Sequence, residues 1–395
     1  MTIELKEKKI LITGGTGFLG ANIVRFLIEK ENIASENIRI FYLEGTSTQA
    51  LEGLSGLDMF PGNILNQESL KEACNDVNLI FHTVGNTSFE PRAKKIQWLV
   101  NVEGTRNLLE VAKNSESIER ICYTSTVNTL GIPYPLGSIG NLEDCNPYTS
   151  KIKLHTFSSS DEALEFVEAV HNNTAPKKWW KKIGIGYHDS KLAAQELVNF
   201  YVKKYDLDII SVLPGTFFGP YDVFIGNGLY LIRIYNNKMP GVLKGGLPLL
   251  HVDDVVRGHI LAMKKGKKGE RYIITGKKED NLYQKEMAKI IAKVLQRKEP
   301  DKKIKDKFFI FPKKIAMFGA TMSELYSKLF KKPCVLSRAM IKAGSVPNFY
   351  SYEKAERELG YSPQKSFKEA VEDMYDYYKE HNYFVKKGRE IDKNL

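Results

Sequence analysis

The stretch Thr13-Gly14-Gly15-Thr16-Gly17-Phe18-Leu19-Gly20 decides the fold of this chain. It follows the apolar run Ile10-Leu11-Ile12, which predicts a buried strand, and precedes a run of apolar residues at helical spacing. A strand, a glycine-rich turn and a helix in this order form a site for a pyrophosphate, because glycines let backbone N–H groups approach the phosphates and a helix start favours negative charge. We therefore predict dinucleotide contacts from Gly14, Thr16, Gly17, Phe18, Leu19 and Gly20.

The composition excludes several classes of protein. The 395 residues are 43% hydrophobic, enough for a large core, and the net charge of +11 is spread over short basic runs, so we expect a solvated basic surface and no nucleic-acid partner. We expect neither a signal peptide nor a membrane span, since the start is polar and no run of about 18 apolar residues follows. The four cysteines and seven histidines lack metal-ligand spacing, so we expect no metal site. The cysteines are far apart and fit buried thiols in a reducing compartment, which predicts a cytoplasmic protein.

The second predicted strand ends at Glu44, about 20 residues beyond the glycine turn. An acidic residue at this place accepts hydrogen bonds from ribose hydroxyls and repels a 2′-phosphate. We therefore predict NAD as the cofactor, with NADP as the alternative because the polar loop from Thr46 to Gln49 can hold a phosphate. After the third predicted strand, the side chain of Asn63 is expected to accept a hydrogen bond from adenine, with Ile64 beside it.

Three further segments are expected to border the cofactor. The fourth predicted strand, ending at His82, leads into Val84 and Gly85, a small turn that is predicted to pass beneath the ribose and the nicotinamide. Asn101 begins a run of apolar residues at helical spacing near the same place. Pro214 follows the sixth predicted strand and is expected to turn the chain toward the nicotinamide. His82 itself is predicted to pack at its strand end.

Tyr187 and Lys191 lie four residues apart in a helical run, hence on one helix face. An ammonium group near a phenol is expected to lower the pKa of the tyrosine, which suits a general acid/base for an alcohol–carbonyl pair. Lys191 can also hold the nicotinamide ribose. Ser125 and Thr126 follow the fifth predicted strand, and a hydroxyl there is expected to hydrogen-bond the substrate oxygen.

Together these motifs resemble the extended short-chain dehydrogenase/reductases of the NAD-dependent epimerase/dehydratase family, in its dihydroflavonol-reductase-like and 3β-hydroxysteroid-dehydrogenase-like branch. The resemblance covers nearly the whole chain, and its other stretches are Asn101–Thr105, Tyr123–Thr126, Pro214–Pro220, His251–Asp254 and Gly269–Tyr272. It implies an α/β fold: a Rossmann-type doubly wound parallel sheet with a smaller mixed C-terminal substrate domain. It also implies that Tyr187 is the catalytic acid/base, Lys191 its partner, Thr126 the catalytic hydroxyl and Ser125 the neighbour that faces the nicotinamide.

The chain departs from the resemblance in two places. The family commonly has an aspartate where Asn63 stands, and residues 149–182 are longer than the family usually has. This insertion contains a predicted helix from Glu162 to Val170 and the pair Trp179-Trp180. It is either a lid over the substrate or a surface element anchored by a tryptophan.

We expect residues 1–255 to form the dinucleotide-binding domain, 256–380 most of the substrate-binding part, and 385–395 a disordered tail. The apolar stretches Phe308–Pro312 and Ile315–Phe318 are predicted to pack in the core, with a membrane-surface contact as the alternative. Relatives that resemble this chain often form dimers, which makes a homodimer the expected assembly.

The sequence predicts an NAD(P)-dependent oxidoreductase that acts on a secondary alcohol or ketone of a small, fairly apolar substrate. Sugar-nucleotide epimerases that resemble this chain usually have an asparagine where Thr216 stands, which counts against a nucleotide sugar. A nucleotide-sugar epimerase or dehydratase stays open as the alternative. A non-catalytic dinucleotide-binding regulator is a second one, although a binding role does not require the pair Tyr187 and Lys191.

Overall fold

The computed structural model describes residues 2–385, which fold into alternating strands and helices. The strands are β1 (Ile10–Thr13), β2 (Ile38–Tyr42), β3 (Asp58–Pro61), β4 (Leu79–His82), β5 (Arg120–Thr124), β6 (Ile139–Gly140), β7 (Ile209–Pro214), β8 (Thr216–Phe218), β9 (Gly241–Val242), β10 (Gly246–His251), β11 (Arg271–Ile274), β12 (Asn281–Tyr283), β13 (Phe309–Ile310) and β14 (Phe349–Tyr350). The helices are α1 (Phe18–Glu29), α2 (Gln67–Ala73), α3 (Lys94–Trp98), α4 (Gly104–Lys113), α5 (Ser160–His171), α6 (Gly186–Tyr205), α7 (Gly228–Tyr235), α8 (Val252–Lys265), α9 (Gln284–Lys298), α10 (Lys313–Phe330), α11 (Arg338–Gly344), α12 (Glu353–Leu359) and α13 (Phe367–Glu380).

A seven-stranded parallel sheet forms the centre of the structure, in the order β11-β7-β5-β4-β1-β2-β3. Strands β1, β4, β5 and β7 are buried along their whole length, as apolar strands covered on both faces must be. The chain runs outward from β1 in two directions, so the order reverses between β1 and β4. Ligands of such sheets bind at the carboxyl ends of the strands beside this reversal. The predicted doubly wound α/β fold is confirmed.

Two apolar cores fill the two faces of the sheet. One core contains side chains of α1 and α8 and continues into α9 and α13 of the C-terminal part. The other contains side chains of α2, α4 and α6, and the insertion helix α5 joins it through Ala163 and Val167. The glycine turn and the helix with Tyr187 thus belong to opposite faces and meet only at the strand ends.

A smaller mixed sheet lies beyond the large one. Strand β10 pairs in parallel with β8 and antiparallel with β12, and helices α9 and α13 pack around it. The expected domain boundary at residue 255 falls inside α8, and β11, which completes the large sheet, comes later in the chain. The division into 1–255 and 256–380 stays a prediction. Residues 386–395 of the expected disordered tail lie outside the described residues.

Helix α10 corrects one prediction from the sequence. Ile315 and Phe318 were expected to pack in the core, but their side chains are 61% and 68% exposed. The reason is that α10 turns a different face inward, where Ala316 and Ala320 pack against Ile341 of α11. Among the described residues, no helix is both long and apolar enough to span a bilayer.

Candidate active site

The glycine turn closes tightly between β1 and α1. Gly14 has φ of +73°, a conformation that favours glycine, and its carbonyl accepts a hydrogen bond of 2.9 Å from the Gly17 amide. A Cβ atom on Gly20 would lie 2.3 Å from that same carbonyl oxygen, so only glycine lets α1 begin this close to the turn. Gly17 caps α1 without a side-chain hydrogen bond, which leaves the first amides of the helix for an anion. The cradle fits a pyrophosphate.

The other predicted residues of the glycine turn hold it in place. Thr16 and Leu19 are buried, and the ring of Phe18 packs against Phe217 of β8 with 5.1 Å between the centroids. Pro214 ends β7, two residues beyond the pairing of Val212 with Thr124 of β5. The structure therefore brings the segment after Pro214 next to the glycine turn.

Glu44, Asn63 and Ile64 follow the strands on the other side of β1. The Gly14 amide donates a hydrogen bond of 2.8 Å to Phe41 of β2, and Glu44 is exposed two residues beyond the end of that strand. The Asn63 side-chain oxygen accepts a hydrogen bond of 2.9 Å from the Leu65 amide, so its predicted contact with adenine has to share this acceptor. Ile64 packs at the start of α4.

The turn after β4 connects the glycine turn with Lys191. The Val84 backbone lies 3.2 Å from the position that a Cβ on Gly14 would take. A Cβ on Gly85 would lie 3.4 Å from the Nζ of Lys191 and 3.5 Å from the Oδ1 of Asn101. A small residue at Gly85 thus leaves open the space in front of the ammonium and the amide.

Asn101 fastens this turn to the helix that carries Tyr187. It lies in a single π-helical turn, Leu99–Glu103, a distortion that is frequent at functional sites. Its oxygen accepts a hydrogen bond of 2.8 Å from the Asn86 amide, and its Nδ2 donates one of 2.9 Å to the hydroxyl of Ser190. The predicted contact of Asn101 with the cofactor stays a prediction, because the described partners of this side chain belong to the protein.

Tyr187 and Thr126 face each other across the end of β5. The two hydroxyls are hydrogen-bonded, and Thr126 also accepts a hydrogen bond of 3.3 Å from the Asn128 amide. Burial raises the pKa of Tyr187, an effect that the hydrogen bond with Thr126 offsets in part. The predicted lowering of the Tyr187 pKa by Lys191 is wrong, because the Lys191 ammonium is directed at the carbonyl of Thr124 instead.

The ammonium of Lys191 donates a hydrogen bond of 2.8 Å to the carbonyl of Thr124 and lies 5.2 Å from the ring centroid of Tyr123. Burial lowers the pKa of Lys191 to about 8. The hydroxyls of Ser125 and Tyr123 are buried without a hydrogen-bond partner in residues 2–385. Buried polar atoms are nearly always bonded, so orphaned hydroxyls at the end of β5, two strands from the glycine turn, fit a bound dinucleotide with its ribose and nicotinamide at this place.

Sequence reasoning missed several residues around Tyr187. The ring of Phe89 lies 6.0 Å from that of Tyr187, and His188 and His155 form a neighbouring pair with 5.9 Å between their centroids. Burial lowers the pKa of His188 to about 3 and that of His155 to about 4, so both rings are neutral at pH 7. Ser190 and His188 stand inside the motif already singled out, but Phe89 and His155 come from loops without any local signal.

His82, which the sequence predicts as a packing residue, is buried in the sheet. It is hydrogen-bonded to the hydroxyls of Thr13 at 2.7 Å and Thr105 at 3.0 Å. Both ring nitrogens are thus engaged, which agrees with a structural role.

The insertion is anchored on the domain and also reaches the site. Trp179 packs against the buried Trp98, with 5.4 Å between the ring centroids. Asp189, between Tyr187 and Lys191, accepts hydrogen bonds from the amide of Thr156 at 2.6 Å and from its hydroxyl at 2.9 Å. The insertion therefore lies directly beside the tyrosine helix, and its role as a lid stays a prediction.

Comparison with known proteins adds the family. The profile of the NAD-dependent epimerase/dehydratase family matches residues 10–275. A provisionally named dihydroflavonol 4-reductase of Synechocystis sp. is 27% identical over 379 residues, which are 94% of this chain and 95% of that protein. Sterol demethylase protein B of Methylococcus capsulatus is 27% identical over 67% of this chain and 69% of its own length.

A solved structure shows the same fold. The dTDP-glucose 4,6-dehydratase DesIV of Streptomyces venezuelae, crystallised with NAD and TYD bound, superposes with a TM-score of 0.68 at 18% identity, over 97% of this chain and all of that one. At this identity the likeness concerns the fold alone.

Proposed function

This chain belongs to the NAD-dependent epimerase/dehydratase family, and we propose that it is an oxidoreductase that interconverts a secondary alcohol and a ketone on a small, fairly apolar substrate. The predicted NAD cofactor is that of the family. The observation that carries the proposal is the convergence of Tyr187, Thr126 and Lys191 beside two orphaned buried hydroxyls at the strand ends. A protein that only binds a dinucleotide has no need of this arrangement.

The residues divide the proposed reaction among them. NAD, when bound, accepts or supplies the hydride. The hydroxyl of Thr126 holds the substrate oxygen, and Tyr187, hydrogen-bonded to it, moves the proton. We assign the ribose to Lys191, whose ammonium lies at the end of β5 on the carbonyl of Thr124, and to Ser125, the next residue of the chain.

The raised pKa of Tyr187 supports the reductive direction. A phenol whose pKa lies above its ordinary value is protonated at pH 7, and the protonated form is the one that donates to a ketone oxygen. Oxidation of the alcohol requires the phenolate instead. Ketone reduction near neutral pH thus needs no prior deprotonation of Tyr187, whereas oxidation of the alcohol does.

Several observations support a fairly apolar substrate. The ring of Tyr187 has the rings of Phe89 and His188 about 6 Å away, and His155 packs on His188, with both imidazoles neutral at pH 7. The curated relatives carry the names of flavonoid reductases and a sterol demethylase protein, whose named substrates are ring systems. We propose a ring-containing alcohol or ketone as the substrate class.

A titration with NAD⁺, NADH, NADP⁺ and NADPH, followed by a turnover screen, tests the proposal. We expect a preference for NAD(H). Glu44→Ala should weaken this preference, because it removes the carboxylate that is expected to accept hydrogen bonds from the ribose hydroxyls and to repel a 2′-phosphate. A preference for NADP(H) would contradict the role proposed for Glu44. Failure to bind any of the four dinucleotides would contradict the proposal that the protein is an oxidoreductase.

Tyr187→Phe tests the proton transfer. We expect kcat/KM to fall by about 10² to 10⁴ while NADH binding is unchanged, because the substitution removes only the hydroxyl. Equal activity of the wild type and Tyr187→Phe would contradict the assignment.

The nucleotide-sugar alternative gives a different readout. An epimerase or dehydratase turns over its substrate without a net change in cofactor, whereas the proposed reaction consumes one NADH for each alcohol formed. Turnover of a nucleotide sugar at constant NADH would favour the alternative, and solved structures of the same fold carry such names.

A further inference from the structure

Helix α10 presents a row of large apolar side chains on its outer side. They are between 44% and 68% exposed and follow one another at helical spacing: Ile315, Phe318, Met322, Leu325, Leu329 and Phe330. The inward side of the same helix consists of small residues such as Ala316 and Ala320. An exposed apolar face of this size is unusual on a protein that meets only water, and marks a surface that binds something.

The charge around this face is strongly positive. Nine lysines and two acidic residues stand between Lys302 and Lys332, and all of these lysines except Lys302 are exposed. Glu324 forms an ion pair of 2.8 Å with Arg338. Lys314 and Lys328 lie beside the apolar row on the helix itself, and Phe309 of the preceding strand is a further exposed apolar side chain, at 60%.

The face lies close to the candidate active site. The guanidinium of Arg92 donates a hydrogen bond to the carbonyl of Ser327 in α10, and the Cys334 amide donates one of 3.4 Å to Glu90. Residue 89, directly before this pair of contacts, is the phenylalanine whose ring centroid lies 6.0 Å from that of Tyr187. One short segment thus connects the exposed helix with the catalytic tyrosine.

We propose that α10 docks on the surface of an anionic lipid bilayer, with its apolar row in the headgroup region and its lysines on the phosphates. An amphipathic helix with apolar and aromatic side chains on one side and lysines along its borders is the arrangement that binds at such an interface. A second copy of this chain is a poorer occupant, since it would bring the same lysines against each other. Docking would bring the segment from Phe89 to Arg92, and with it the neighbourhood of Tyr187, near the bilayer, where a fairly apolar ketone would be dissolved; only this consequence rests on the proposed function.

Co-sedimentation of the purified full-length protein with vesicles tests the docking. We expect binding to vesicles of phosphatidylcholine with phosphatidylglycerol and much weaker binding to phosphatidylcholine alone, with a loss on adding salt. The double variant Phe318→Gln/Leu329→Gln should lower the partition coefficient by about tenfold or more, because it removes apolar area that the wild-type side chains would bury in the bilayer. Lys314→Glu/Lys328→Glu should weaken binding to the anionic vesicles only.

The matched control replaces two exposed apolar residues elsewhere, Leu136→Gln/Phe224→Gln, whose side chains are 51% and 55% exposed. It should bind vesicles like the wild type. Equal binding of the α10 variants and the wild type would overturn the proposal, as would self-association through α10 in a light-scattering measurement that the α10 variant abolishes.

NADH binding and ketone turnover are measured in parallel without vesicles. Failure of vesicle binding with turnover intact would refute the docking and leave the proposed function standing. Vesicle binding without any dinucleotide binding would do the reverse. Unchanged NADH affinity of the α10 variants also shows that they are folded.

Discussion

The two sides of the candidate cleft are built on different rules. The cofactor side consists of turns that directly follow neighbouring strands of one sheet: the glycine turn after β1, Val84 and Gly85 after β4, Ser125 and Thr126 after β5. The side that we propose for the substrate combines segments far apart in the chain, namely Phe89, His155 and the region around α10. Backbone geometry dictates the first side and side-chain packing the second. We therefore expect the cofactor side to tolerate almost no change and the substrate side to tolerate much.

Gly20→Val is the change with the largest expected effect on this comparison. Its Cβ would lie 2.3 Å from the Gly14 carbonyl oxygen and 2.8 Å from the Gly15 Cα, so α1 has to move away from the turn. We expect a loss of about 3 kcal/mol or more in the free energy of unfolding and no measurable NADH binding. Denaturant unfolding and NADH fluorescence check this, and wild-type affinity in Gly20→Val would show that the turn is looser than the structure indicates.

Trp179→Ala tests the anchoring of the insertion on the substrate side. Its half-buried ring packs against Trp98 and Phe166, so truncation should lower the free energy of unfolding by about 2 kcal/mol. NADH affinity should stay the same, whereas KM for the ketone should rise because the insertion lies beside the tyrosine helix.

Trp180→Ala is the matched control: Trp180 borders the same core, but its described ring contacts are with Trp179 and the ammonium of Lys95 at 5.5 Å, and not with Trp98. A larger effect of Trp180→Ala than of Trp179→Ala would reverse the assignment of the anchor.

The pH dependence of activity is the next effect in size. Burial lowers the pKa of Lys191 to about 8, so the ammonium that is proposed to hold the ribose is lost as the pH rises through this value. We expect kcat/KM to fall about tenfold for each pH unit above 8, the slope of a single ionisation. Lys191→Arg keeps its charge and should remove this fall while lowering activity at every pH.

Stability should respond with the opposite sign. The pKa of Lys191 is lower in the folded protein than in the unfolded chain, so between about pH 8 and 10 the unfolded chain binds more protons and the contribution of Lys191 to stability rises with pH. A fall in activity accompanied by a fall in the melting temperature over this range would mean that unfolding, rather than Lys191, is responsible.

Gly319→Ala has the smallest expected effect and completes the comparison with Gly20. A Cβ on Gly319 would meet no described atom within 4 Å, and the residue lies inside α10. The substitution should raise the free energy of unfolding by about 0.5 to 1 kcal/mol, since alanine is the better helix former, with NADH binding unchanged. Destabilisation by Gly319→Ala would show that this face of α10 is covered in the folded protein.

The same contrast explains how much the sequence could predict. The sequence could predict the strand, the glycine turn and the helix because the glycines are required by local backbone geometry. The order of the strands follows from the parallel α/β pattern. The sequence could not predict three features of the site: the partners of Asn101, the proximity of Phe89 to Tyr187, and the raised pKa of Tyr187. All three depend on contacts between segments that are far apart in the chain. The sequence wrongly predicts a core position for Ile315 and Phe318, because the apolar pattern of a helix is the same whether its apolar face is buried or exposed.

The order of strands has a consequence for how the chain folds as it is synthesised. Strand β1 is made first and stays near the middle, β2 and β3 add to one edge, and β4, β5, β7 and β11 add to the other in the order in which they leave the ribosome. Each new strand therefore joins an edge that already exists, and none has to be inserted between two earlier ones. The nascent sheet can grow outward without rearrangement, and its last edge closes only when residue 274 has emerged.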